Sequence, residues 1–309
     1  MRTISERTGL SPSLLRAWER RHGLLQPERT EGGHRLYTET DLRVLQRVRD
    51  LLESGRSIGE LASLGRQALL NGASSAAPAP RVQPTSPPVG PEVEETLQHY
   101  RGVIVQAAVG LDELALQRGL DESFALVRPC VALHQVVFPA LREVGELWAR
   151  GECSVAGEHL VSAKVVGRLI KLIEVANPEP GPQTPRAICA CLPDEQHVIG
   201  ALVTAYQLAR HGFHVHYLGA SMPLQDLERS CQVVAPRVVA LSVVRPALLA
   251  THQPGLIAFA ERAGREGVQV LLGGPGVRGA DPKIAEAGVL LLDPVRTDLR
   301  DTLRSLSRI

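Results

Sequence analysis

The chain has 309 residues, of which 44% are apolar and 22% charged, with a formal net charge of +1. That length exceeds what one hydrophobic core usually organises and predicts two or three domains, while the near-neutral charge confines any basic surface to a local patch. No apolar run approaches the ~20 residues of a bilayer span and no signal peptide opens the sequence, so a cytoplasmic protein without a membrane partner is expected.

Residues 1–70 read as short helices around a hairpin. A first helix is expected over Thr3–Thr8, followed by a turn at Gly9. Ser11 then acts as N-cap with Pro12 at the first helical position, opening a helix through Arg21. The stretch QPERTEGGHRLY, with its proline and paired glycines, suits a β-hairpin. Thr40–Ser54 is amphipathic, with Leu42, Leu45, Val48 and Leu52 at helical spacing, and Ser57 caps a last helix through Leu70. The chain opens almost directly on the first helix, so a few further residues are expected before it.

A short helix, a glycine turn and a capped second helix predict a helix-turn-helix, whose second helix enters the major groove of DNA. That helix, SPSLLRAWERR, gathers Arg16, Arg20 and Arg21 with Ser13 at its start. Arginine forks match phosphate oxygens and guanine edges. The hairpin adds Arg29, His34 and Arg35 as a second basic element for the backbone. Residues 1–70 hold twelve Arg against nine Asp or Glu, so placement matters more than surplus. One Arg-rich helix alone is often a solvated face; the order of helix, turn, helix, hairpin and helix is what points to DNA.

The stretch LLRAWERRHGLLQPERTEGGHRLYTETDLRVL closely resembles the MerR family of winged helix-turn-helix regulators. The resemblance implies dimeric binding to pseudo-palindromic, double-stranded promoter DNA, with Trp18 and Tyr37 packing the winged domain. Many members follow this domain with a long dimerising helix, and some with metal-sensing cysteines. Here a linker follows instead, and no cysteine precedes Cys130, so assembly falls to the second half and thiolate metal sensing is not expected.

Residues 71–92 contain six prolines and almost no bulky apolar groups. They read as a disordered linker spanning roughly 25 Å as a coil, which leaves the two sides free to move. Residues 93–180 are helical by pattern and suffice for a four-helix bundle. Over 185–309 the pattern changes. RAICACLP, FHVHYLGA, RVVALSVV, VQVLLGG and AGVLLLD are continuous apolar runs of strand length separated by helical segments. That alternation predicts a doubly wound, five-stranded parallel sheet, and the whole chain is a multidomain α and α/β protein. The five cysteines (130, 153, 189, 191 and 231) are odd in number and lack C-x-x-C spacing, so they read as buried free thiols.

In doubly wound sheets ligands bind beyond the carboxyl ends of the strands. PDEQHVIG lies at such an end, after the first strand and before a helix starting near Gly200. His197 there suits an axial position on a metal complex, with Glu195 accepting from its other ring nitrogen. Ser242 comes after the third strand and Gly273-Gly274 after the fourth, which would line a slot beside the sheet. Together these residues resemble the cobalamin-binding domain of methionine synthase and the mutases, whose pattern is Asp/Glu-x-His-x-x-Gly, Ser-x-Leu and Gly-Gly. The resemblance assigns Glu195, His197, Gly200, Ser242, Gly273 and Gly274 to cofactor binding, with His197 as lower ligand to cobalt. Val244 stands where leucine is usual.

The preceding helical segment carries Trp148, Glu158 and His159 within WARGECSVAGEH, matching the W-x9-EH motif of the CarH/LitR photoreceptor family. The resemblance implies that these three line the upper face of adenosylcobalamin. In that family a histidine follows the motif tryptophan and takes the upper position after illumination; here Ala149 occupies it. The chain is thus expected to be a cobalamin-dependent transcriptional regulator, a repressor rather than an enzyme. Adenosylcobalamin, and light where the response extends to it, would control its assembly as a homo-oligomer (dimer or tetramer) and its promoter binding. The alternatives are a corrinoid-carrying enzyme component, methyl carrier or mutase subunit, and a cobalamin-independent MerR-type regulator acting by protein contact.

Overall fold

The computed structural model describes residues 15, 18, 19, 25, 27–29, 35–53, 61, 65–70 and 91–292. Two compact units make up the chain, Met1–Val165 and Val166–Ile309. The first unit therefore includes residues from both sides of 71–92, where the sequence predicts freedom of movement. That linker itself lies outside the described residues.

In the first unit, β1 (Glu28–Arg29) pairs antiparallel with β2 (Arg35–Leu36), with Arg29 opposite Arg35, which is the expected hairpin. Helix α1 (Glu39–Glu53) begins in a capping box. The Thr38 hydroxyl accepts from the Asp41 N–H at 3.2 Å, and the Asp41 carboxylate accepts from the Thr38 N–H at 2.8 Å, so two donors orphaned at the helix start are satisfied. Asp41 is fully buried and is neutralised by Arg66 at 2.6 Å. Leu42, Leu45 and Val48 are buried as their spacing predicts, and the Leu52 side chain lies outside the described set. The expected last helix of this region is interrupted at Gly65, with Leu61 helical before it. Gly65 adopts φ +81°, which ends any helix before it, so α2 covers only Arg66–Leu70.

The bundle follows as α3 (Pro91–Gly110), α4 (Glu113–Leu126), α5 (Pro129–Ala132), α6 (Phe138–Ala149) and α7 (Val155–Ala176). Helices α5 and α6 form one rod, joined by a π-helical turn over Leu133–Val137. Pro139 explains that turn: it has no N–H for the Gln135 carbonyl, and its ring would strike that oxygen in a regular helix. The Asp112 carboxylate caps α4 by accepting from the Ala115 N–H at 2.9 Å.

The second unit carries β3 (Arg186–Cys191), α8 (Ile199–Arg210), β4 (His214–Gly219), α9 (Leu224–Val234), β5 (Val238–Ser242), α10 (Pro246–Arg265), β6 (Gln269–Gly273), α11 (Pro282–Glu286) and β7 (Leu290–Leu292). All neighbouring strands are parallel, in the order β4-β3-β5-β6-β7. Every residue of β5 and five of the six in β3 are buried, which is why these runs show no apolar–polar alternation. The chain leaves β3 toward one edge and returns to β5 on its other side. The loops after β3 and β5 thus part at the switch point where doubly wound sheets take their ligands.

All five cysteines are free, and four of them are buried. Burial, aided by the Glu195 charge, pushes the Cys191 thiol up to about 12. Burial and nearby glutamates bring Cys231 to about 11, and burial raises Cys189 further. Since the thiolate is the reactive form, a disulfide reagent at pH 8 should label Cys130 first and the others only after unfolding. Mass spectrometry of the labelled native protein checks this, and rapid labelling of Cys189 or Cys191 would contradict it.

Candidate ligand site and nucleic-acid elements

In the second unit the switch-point loops are built around one carboxylate. Glu195 is fully buried, yet each of its oxygens has two N–H groups to accept from. Oε1 accepts from the His197 backbone N–H at 3.0 Å and pairs with His197 Nδ1 at 2.5 Å. Oε2 accepts from the N–H groups of Val244 at 2.8 Å and Arg245 at 3.1 Å. Burial by itself would raise the carboxyl, but these four bonds outweigh it and hold Glu195 at about 2. It is a permanent anion joining the loop after β3 to the loop after β5.

That charge fixes the tautomer of His197. A carboxylate only accepts, so Nδ1 carries a proton, and in the neutral ring Nε2 carries the lone pair. The His197 side chain is 60% exposed, so this lone pair is available to a ligand. The loop is stiffened around it. Asp194 adopts φ +64° and Ser221 φ +49°. The Asp194 N–H donates to the Ser221 hydroxyl at 3.0 Å, and the Asp194 carbonyl accepts from Arg245 Nη2 at 2.6 Å. Asp194 also pairs with His252 at 2.9 Å.

Beside this loop lies a cradle with an unmet polar group. The Ser242 hydroxyl at the end of β5 is buried and has no hydrogen-bond partner among the described residues. A Cβ at Gly200 would lie 2.7 Å from that oxygen, so the first turn of α8 leaves the space beside the hydroxyl open. Gly274 (φ +109°) passes so close to β5 that a Cβ would sit 2.3 Å from the Val243 carbonyl. Gly276 is similarly constrained, at 3.0 Å from the same oxygen, and the sequence reading missed it. A Cβ at Gly273 would meet only Leu292, at ordinary contact distance. Glu195, His197, Gly200, Ser242 and Gly274 therefore gather at one edge of the sheet. That edge offers a ligand an imidazole nitrogen and a buried hydroxyl, with no Cβ at Gly200 or Gly274. Among the described residues no three His, Cys, Asp or Glu side chains gather as a metal cage. A single oriented imidazole suits a macrocycle that brings its own metal.

In the first unit, Trp148 ends α6 and is 51% exposed, so it is not a bundle core residue. Gly151 (φ +76°) turns the chain, and Ser154 caps α7 by accepting from the Gly157 N–H at 3.1 Å. Glu158 pairs with His159 Nδ1 at 2.6 Å and accepts from the Ser162 hydroxyl at 2.7 Å. Gly157 lies inside the same motif and was not singled out in the sequence. A Cβ there would lie 2.3 Å from the Ala108 carbonyl, so α7 crosses α3 at a distance only glycine permits. Among the expected DNA contacts, Ser13, Arg16, Arg20, Arg21 and His34 lie outside the described residues, and for Arg29 and Arg35 only the paired backbone is described.

Comparison with known proteins adds three family matches: the MerR HTH family regulatory protein over residues 1–67, and B12 binding domains over 102–170 and 185–306. The HTH-type transcriptional repressor CarH of Myxococcus xanthus is 34% identical over 274 residues, covering 89% of this chain and 88% of CarH. CarA of the same organism, also an HTH-type transcriptional repressor, is 33% identical over 247 residues, covering 79% of this chain and 76% of CarA. Among solved structures, the monomethylamine corrinoid protein of Methanosarcina barkeri superposes with a TM-score of 0.52 at 15% identity, over 69% of this chain and 99% of that one. That likeness concerns the fold alone.

Proposed function

This chain belongs to the family of MerR-type, cobalamin-dependent transcriptional regulators in which the CarH and CarA repressors stand, and we propose that it is a repressor whose ligand is adenosylcobalamin. The observation that carries the ligand assignment is His197, its Nε2 oriented by the buried Glu195 carboxylate, together with the Ser242 hydroxyl, which has no partner among the described residues. His197 would be the lower axial ligand, and Gly200, Ser242, Gly273 and Gly274 would line the slot for the nucleotide tail. When bound, the cofactor supplies a cobalt centre and, in its adenosyl form, a photolabile cobalt–carbon bond. Trp148, Glu158 and His159 would face the adenosyl side, which the exposure of Trp148 supports. Ala149 offers no donor there, so ligand sensing in the dark rests on firmer ground than a light response.

The DNA contacts belong to residues 1–70, with Ser13, Arg16, Arg20, Arg21, Arg29, His34 and Arg35 as the contacting set. Ligand-controlled homo-oligomerisation would bring several such domains onto one operator. Linking modest binders raises occupancy steeply through effective concentration, so assembly alone acts as the switch. The test is to load the full chain with adenosylcobalamin in the dark, desalt it, and record its visible spectrum, mass in solution and operator gel shift. One retained equivalent with an imidazole-coordinated spectrum, lost or altered in His197→Ala, is expected. A colourless desalted protein, or an operator shift by residues 93–309 alone, would sink the reading.

A further inference from the structure

The helix carrying the expected DNA contacts is fastened to the bundle. Leu15, Trp18 and Glu19 are helical, and Leu15 and Trp18 are fully buried. Trp18 Nε1 donates to the carbonyl of Ala125, 107 residues away, at 2.9 Å in a buried setting. Helix α1 of the winged region also touches α4, the helix that contains Ala125.

The covalent structure around Ala125 shows why this bond exists. In a continuing helix its carbonyl would accept from the N–H of residue 129, and residue 129 is proline, which has none. The last carbonyls of a helix need partners from elsewhere, and a buried one left without a partner is costly. Trp18 supplies the donor.

We propose that the Trp18 indole N–H and the Ala125 carbonyl form a docking joint tying the rear of the DNA-reading helix to α4. Rearrangement of the bundle then reaches that helix directly, without passing through residues 71–92. The joint itself stands on the contact; its regulatory consequence rests on the function proposed above. Pro129 is a positioning residue for the joint: it favours the extended Arg128 (φ −61°, ψ 145°) that follows the extended Val127, and it offers no N–H, so α4 stops at Leu126 and the Ala125 oxygen stays available.

The experiment uses the full chain labelled with 15N-tryptophan, without cobalamin or DNA. Only two indole N–H signals arise, and Trp148→Phe assigns them. The Trp18 N–H should exchange slowly with solvent, and the half-exposed Trp148 N–H should exchange fast as an internal reference. Pro129→Ala restores an N–H and frees Arg128 from its extended conformation, so that α4 can run on and give the Ala125 oxygen an intrahelical partner; Trp18 exchange should then accelerate about tenfold or more. A second measurement is the ratio of operator affinities with and without adenosylcobalamin. It is expected to be on the order of tenfold in the native chain and to fall toward one in Pro129→Ala and in Trp18→Phe. Trp18 exchanging as fast as Trp148 in the native chain overturns the joint. So does Pro129→Ala leaving Trp18 exchange unchanged. Should Pro129→Ala fail to fold, Trp18→Phe with an intact affinity ratio overturns the proposed coupling. A native ratio of one, with slow Trp18 exchange, counts instead against the regulatory reading.

Discussion

Glu195→Ala is expected to lower cobalamin affinity about ten- to a hundredfold and to destabilise the second unit by about 2 kcal/mol or more. The first figure follows from the role of the carboxylate as the group that orients a metal-binding imidazole, where loss of the partner typically costs that much. The second follows from the N–H groups of His197, Val244 and Arg245, which lose their acceptor together. A buried donor left unmet costs about 1–3 kcal/mol, less where water reaches it. Glu195→Gln should fare little better, since an amide has one accepting oxygen and both faces of this carboxylate need one. The same geometry sets a pH dependence. The Glu195 carboxyl stands at about 2 against an ordinary 4.5, so its folded value is depressed. Its contribution to stability is therefore complete above about 4.5 and is lost as pH falls from there through about 2. Titration of adenosylcobalamin by absorbance and thermal melts at pH 7 and pH 4 measure both effects. A Glu195→Ala protein with native affinity would show that His197 does not depend on its partner.

What the sequence makes legible follows the chemistry of side chains, and what it hides is carried by the backbone. Strands β3 and β5 read directly because burial on both faces leaves unbroken apolar runs. Glu195, His197, Gly200 and Ser242 read directly because each contributes a charge, a ligand nitrogen, a missing Cβ or a hydroxyl. Val244 and Arg245 hold Glu195 through N–H groups that any residue but proline provides, so no residue type announces them. Gly157 and Gly276 are required by approaches to carbonyls distant in sequence or across a loop. Gly65 looks like a tolerated helix glycine until its φ of +81° shows that the helix ends there. The bond from Trp18 to Ala125 joins segments separated by a proline-rich stretch that predicts independence.

Gly200→Ala should separate binding from folding. Its Cβ would stand 2.7 Å from the Ser242 hydroxyl, in the space left open for a ligand. The nearest atom is the end of a small side chain that has no partner to lose among the described residues, so the hydroxyl can rotate away. Gly200 is also the second residue of α8, and alanine is favoured over glycine within a helix by about 1 kcal/mol. The ligand-free variant should thus be as stable as the native chain or slightly more so. A ligand entering that slot meets the added methyl, and overpacking a well-fitted site costs about 1–3 kcal/mol, roughly a five- to 150-fold loss of affinity. Gly274→Ala is the control. Its added Cβ would fall 2.3 Å from the Val243 backbone carbonyl at a φ that alanine rarely adopts, so it should lose stability even without ligand. Melting temperatures and cobalamin titrations of both variants are the measurements. Were Gly200→Ala to bind cobalamin with native affinity, the space beside Ser242 would not be where the tail lies. Equal loss of stability in both variants would make Gly200 a packing residue instead.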